Sequence, residues 1–327
     1  MCDGARCACL WVMVVAAGSM TGGGLAIGQV EGGMTDMQPR GGPHAGPTAL
    51  RMVLGTHLRR LREEQGVTRE AAGWEIRASE SKISRMELGR VSFKERDVAD
   101  LLTLYGVTDD AERNALLDLC HRANTPGWWH RDSELLPGWF QSYLGLEAAA
   151  ALMRVYEVQF VHGLLQTADY ARAVIRLDKA TAPTEELDRR VALRMKRQEL
   201  LVQQDPPTLW CVIDEAVLRR PMGGKAVMAA QIAALMDAAD LPNVTIQIIP
   251  FAAGGHAAAG GAFTILRFRE PDLADTVYIE QLTSALYLDK RDDVEQYAAA
   301  MEKLSAQARQ PDETSKILGQ IRRDYVA

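Results

Sequence analysis

The chain is short of several things that would tie it to large protein classes. It has 5 cysteines in 327 residues. The number is odd, and Cys120 and Cys211 stand alone, which argues against a disulfide framework and fits a reducing cytosol. Cys2, Cys7 and Cys9 lie close together, but without a fourth ligand or a nearby His they make a poor zinc set, so no metal is expected. There is no transmembrane segment, since spanning a bilayer takes roughly 20 apolar residues, and no basic amphipathic stretch for a lipid surface. The apolar run Leu10–Ala17 is far too short to span. It has the form of a signal-peptide core, with small residues near Ala17–Ser19. Everything downstream reads as intracellular, however. Residues 1–33 are therefore expected to be a disordered extension, or sequence upstream of a true start at Met34. No charge sign dominates: the net charge is −6, so the whole chain is not a general polyanion binder. Internal repeats and a long linker are missing too.

The charge that is present is unevenly placed. Between Arg51 and Arg96, eleven Lys/Arg stand against seven Glu, a local net of +4 in an acidic chain. A DNA-binding module joined to an acidic domain would look like this. The same region reads as helical from Thr48 to about Asn124. Leu50, Leu54, Leu58 and Leu61 form one apolar stripe. Gly66 ends that helix, Thr68 caps the next, and Ser79 caps a third that Gly89 ends. Lys94 to Leu104, with Val98, Leu101 and Leu102, makes a fourth helix. Asp109 and Asp110 open a fifth, with Leu116, Leu117 and Leu119 facing the core. Pro126, Gly127, Pro137 and Gly138 then break the pattern. Trp128, Trp129 and Trp139 between them are expected to pack at a domain junction rather than to cage a ligand. Beyond it, helices are expected over 147–157, 164–177, 184–204, 225–239 and 294–308, and strands over 209–213, 244–250, 263–268 and 276–280. The expected fold is mainly α with an α+β C-terminal domain. Its parts are an extension over 1–47, a helical DNA-binding domain over 48–124, a junction over 125–140, and a mixed α/β regulatory or interaction domain over 141–327.

The stretch Val67–Gly89 carries the function. Thr68 opens a short helix in which Gly73 allows close approach, Arg77 and Ala78 make the turn, and Ser79 caps a second helix. Ile83 and Met86 face inward at i, i+3 spacing. Glu80, Ser81, Lys82, Ser84 and Arg85 are left on the outer side. A capped helix with a polar exposed face is what enters the major groove, where short polar and cationic side chains tell the base pairs apart. This stretch resembles, without a gap, the helix-turn-helix of the XRE, or lambda-repressor-like, family. In that pattern Thr-Gln opens the first helix, and Ser-x-Ser-x-Ile-Ser-x-Ile-Glu-x-Gly forms the recognition helix. Here Arg69 stands for the Gln, turning a hydrogen bond into a phosphate ion pair. Arg77 stands for the turn Gly, which costs on the order of 1 kcal/mol if the turn is left-handed. The resemblance implies a five-helix domain that binds double-stranded DNA, with Ser79, Glu80, Ser81, Lys82 and Arg85 in the groove. Arg69, Ser84, Arg90 and Lys94 would sit nearer the phosphates.

The phrases at Gly145–Ala148, Gly163–Ala171, Asp214–Arg220 and Leu241–Gln247 resemble those of actinobacterial antitoxin-like regulators, in which such a domain follows an XRE module. This implies regulation through a small partner protein or a small-molecule effector. The expected protein is a cytoplasmic, homodimeric transcription factor without cofactor or catalytic activity. The rival reading is an antitoxin-like interaction protein that binds DNA for autoregulation. Three constellations bear on catalysis. His162, Gln166 and Asp169 share a helix face by spacing, with His162 expected to be packed or capping. Asp214 and Glu215 follow a strand without an assignable His or Cys partner, and read as favourably placed acids at a helix N-terminus. Gly254, Gly255, His256, Gly260 and Gly261 lie between two strands and lack GxxxxGK[ST]. They are expected to form a long hairpin, or else a mobile lid.

Overall fold

The computed structural model describes residues 46–270 and 273–326. The expected extension, with Cys2, Cys7, Cys9 and Leu10–Ala17, lies outside the described residues, apart from its last two. Five helices follow: α1 (Pro47–Glu64), α2 (Arg69–Glu75), α3 (Glu80–Glu87), α4 (Glu95–Leu104) and α5 (Asp110–Ala123). Their starts are set by local chemistry. The side chains of Thr68, Ser79 and Asp109 each accept a backbone N–H from the first turn that follows, satisfying donors that the helix leaves unpaired. Leu50, Leu54, Leu58 and Leu61 are all buried, against Ile83, Met86, Val98, Leu101, Leu102, Leu116 and Leu119. Leu117 is only half-buried.

In the next segment Trp129 is buried against Leu144 and Leu193. Trp128 meets it edge to face and lies under the Lys196 ammonium, so these tryptophans pack. α6 (Gly138–Ala149) then runs straight into β1 (Ala150–Glu157). The helix expected over 147–157 is therefore corrected. Only its first residues are helical, because Ala150–Glu157 is paired on both sides within the sheet and that pairing overrides the local alanine-rich pattern. Three parallel strands are completed by β2 (Thr208–Asp214) and β3 (Val244–Ile249). β4 (Phe263–Phe268), β5 (Thr276–Glu280) and β6 (Ala285–Leu288) add antiparallel partners on the other side of β1. The order is β3-β2-β1-β4-β5-β6. The crossovers carry α7 (Ala168–Asp178), α8 (Thr184–Arg197), α9 (Glu215–Arg219) and α10 (Lys225–Ala239). α11 (Arg291–Gln307) covers one face of the sheet, and α10 with α12 (Thr314–Val326) packs on the other. Neither β6 nor α12 was anticipated.

The helical array and the sheet share one core, which runs from Ala49 to Ile321. α1 meets α6 at Gly145, where an added Cβ would stand 1.9 Å from Thr48 Oγ1. The glycine-rich segment is not a hairpin. β3 and β4 are separated by β2 and β1, so residues 250–262 cross the sheet end instead of turning back beside β3.

Candidate nucleic-acid interface

α2 and α3 form the pair to which the basic region belongs. The turn between them is tight. Ala78 donates its N–H to the Gly73 carbonyl at 2.8 Å, and a Cβ at Gly73 would lie 2.6 Å from the Ala78 oxygen. Only glycine allows that approach. The chain then passes through Arg77 at φ +54°, the left-handed region that disfavours a side chain. The sequence pattern has glycine there, and here an arginine bears the strain.

A buried carboxylate holds α3 in place. Glu87 accepts from Arg62 Nε at 2.5 Å and Nη2 at 3.2 Å, and from Arg69 Nε at 3.0 Å. Arg62 also donates to the Val67 carbonyl at 2.9 Å. One acid thus ties the last turn of α3 to α1 and to the start of α2. The hydrogen bond to Glu87 holds the Arg62 guanidinium charged more firmly than an ordinary arginine, against the cost of burying it. The pattern of Ile83 and Met86, both buried, fixes the rotation of α3, so its opposite side faces solvent.

On that side Ser79, Glu80, Ser81 and Arg85 are exposed and Ser84 is half-buried. Arg85 Nε reaches back to the Ser81 carbonyl at 3.3 Å. Arg77, Arg85, Arg90 and Lys94 are exposed, and none forms an ion pair with a carboxylate among the described residues. Two of the expected contacts are differently placed. Lys82 Nζ is 2.7 Å from Asp97 Oδ2 of α4 and half-buried. Arg69, expected near phosphate, is turned to Glu87, whose buried charge attracts it more strongly than solvent does. Sequence reasoning also passed over Trp74, which is 80% exposed on α2. An aromatic off the inward stripe was the available signal.

The constellations of the second domain sort differently. His162, Gln166 and Asp169 do not share a helix face. Thr167 caps α7, so the helix begins after both His162 and Gln166. His162 is buried and accepts the Leu164 N–H at 3.4 Å. Burial, with Arg197 and Arg194 nearby, pushes its pKa down to about 3. It is a packed, neutral capping residue. Glu147 and Arg197 form a buried bidentate pair close by. Glu157 at the end of β1 is half-buried, and desolvation, with Glu280 adding repulsion, raises its pKa to about 8. Asp214 caps α9 through Ala216 N–H at 2.8 Å, as expected of an acid at a helix start. The partner that sequence could not assign is His256, 3.7 Å from Asp214 Oδ2.

No described helix is long and apolar enough to cross a membrane. A family model described as a helix-turn-helix domain matches residues 53–116. A second, described as a domain of unknown function (DUF5753), matches residues 140–320. No curated protein and no solved structure matches the chain.

Proposed function

The chain belongs to the family of the domain of unknown function DUF5753, and from that domain with a helix-turn-helix ahead of it we propose a sequence-specific, DNA-binding transcriptional regulator. The observation that carries this is α3 itself. Its N-terminus is capped, its apolar side is sunk in the core, its last turn is clamped through Glu87, and Ser79, Glu80, Ser81 and Arg85 stand on its open side. A rigid helix with that face suits major-groove readout, where serines and a cation find donors and acceptors and Glu80 meets the cytosine amine. Arg77, Arg90 and Lys94, which form no ion pair with a described carboxylate, flank it with positive charge for phosphates. In this reading the module is of the lambda-repressor type, works in the cytoplasm as a homodimer on a pseudo-palindrome, and carries out no catalytic step. The sheet domain senses an effector or a partner.

A second reading, an antitoxin-like protein with a small protein partner, draws support from Leu282 and Leu286. Both are exposed, beside or on the edge strand β6. Selection from a random duplex pool tests the first reading. A recurrent motif recovered by the purified protein, with two half-sites about one helical turn apart, is expected. Recovery of no motif above background overturns it.

A further inference from the structure

The polar groups that DNA binding leaves unused gather at one end of the sheet. β1, β2 and β3 are parallel, so their carboxyl ends share a side. Residues 250–262 leave β3 and enter β4 beyond β1, and must cross the ends of β2 and β1 on the way. At a strand spacing of about 4.8 Å, that crossing covers on the order of 14 Å. His256, midway, meets both strands it passes. Its Nε2 lies 3.0 Å from the Tyr156 hydroxyl of β1 and 3.7 Å from Asp214 Oδ2 at the end of β2. Its Nδ1 accepts the Ala258 N–H at 3.3 Å, which leaves the ring proton on Nε2, as a donor toward Tyr156 and Asp214. Burial and the Asp214 charge raise the Tyr156 pKa to about 12, so its hydroxyl keeps its proton. The imidazole is therefore a positioned wall and not a loose side chain.

Beside that wall is an open depression of about 490 Å³ between the crossing segment and α11, lined by Gly255, His256, Ala257, Lys303, Ala306 and Gln307, all but His256 exposed. It has room for a small organic molecule lying against the surface rather than enclosed by it. Among the described residues the lining has two methyl groups, one ammonium, one amide and one imidazole, with the Asp214 carboxylate behind the imidazole. Lys303 is exposed and forms no ion pair with a described carboxylate. The glycines of the crossing segment leave its backbone free to adjust: Gly254 and Gly261 hold φ of +71° and +95°, and an added Cβ at Gly255 or Gly260 would meet nothing within 4 Å.

We infer that this depression binds a small organic anion, its carboxylate or phosphate taken by Lys303 and Gln307 and its apolar body laid on Ala257 and Ala306. Binding is independent of the helix-turn-helix. Only its use as a regulatory signal rests on the DNA-binding reading. The test is histidine Cε1–H NMR on the full chain, titrated with benzoate and, separately, with inorganic phosphate; His256→Gln serves to assign the signal. Benzoate is expected to shift the His256 resonance saturably. Phosphate, lacking the apolar body, should bind more weakly. Lys303→Met should weaken benzoate by about tenfold or more, as loss of a charged hydrogen bond does, while Lys303→Arg retains it. Absence of saturable shift with either probe, or an unchanged titration in Lys303→Met, overturns the site. Failure here with motif selection intact removes the site alone. Saturable benzoate binding by a chain that selects no DNA motif removes the regulator alone.

Discussion

Arg77 is the residue at which local chemistry and the fold disagree. Its φ of +54° places a side chain where the turn favours none. Arg77→Gly should therefore stabilise the protein by up to about 1 kcal/mol, the relief of strain exceeding the entropy that glycine adds to the unfolded chain. A higher urea midpoint at an unchanged slope is the expected result, and a lower midpoint would contradict the strain. Arg85 carries the clearest functional prediction. It is exposed on α3 without an acid partner among the described residues, so Arg85→Ala should weaken binding to a selected duplex by about 1–3 kcal/mol. Lys82 must first leave Asp97. Asp97→Ala is thus expected to tighten DNA binding, measured by anisotropy, and a weakened complex would mean that Lys82 serves α4 and not DNA. What was legible at this scale were groups that act on their own neighbours: the caps Thr68 and Ser79, Gly73, and the inward Ile83 and Met86. The clamp of Arg62 and Arg69 on Glu87 was not, because its members are 25 and 18 residues apart. The meeting of His256 with Asp214 was hidden for the same reason.

Among the elements, helix and strand signals were readable where burial has one period. α10 and β4 stand as expected, at 225–239 and 263–268. β1 was misread because Ala149 and Ala150 continue a helical pattern across the point where the chain enters the sheet. β6 is only four residues long, too short for alternation to register. The glycine-rich segment showed its turns but not its path, since a crossing of two strands is a property of sheet order. One contact joins the two regions closely enough to test. Gly145→Val must push α1 from α6, because Thr48 Oγ1 already stands where a Cβ would go. A loss of about 1–3 kcal/mol is expected, as for other overpacked sites, read as a fall in thermal midpoint. A change within 0.5 kcal/mol, the usual range of a surface substitution, would mean that this contact yields freely.

Two groups, the buried His162 and the half-buried Glu157, should shape the stability of the whole molecule with pH. His162 stays neutral in the fold down to about 3, whereas an unfolded histidine takes a proton near 6.5. As pH falls from about 6.5 toward 3, the unfolded chain binds a proton that the folded one refuses, and stability falls. Glu157 holds its proton up to about 8, against an ordinary 4.5. As pH rises from about 4.5 to 8, the folded chain keeps a proton that the unfolded one releases, and stability falls again. From these two groups the slopes oppose between about 4.5 and 6.5, giving a plateau there and losses on both sides. Glu157→Gln should remove the alkaline decline and leave the acid one. A parent with no decline between pH 6.5 and 8 would contradict the assignment.

The central claim is that α3 reads DNA. Its most direct measurement is fluorescence anisotropy of the full chain on a selected duplex and on a scrambled one, each at two salt concentrations. The account predicts tight binding to the selected duplex, weaker binding to the scrambled one, and a loss of affinity for both as salt rises, because phosphate contacts release counterions. Equal affinity for the two duplexes at both salt concentrations would contradict it and would leave the helix-turn-helix as a surface for protein.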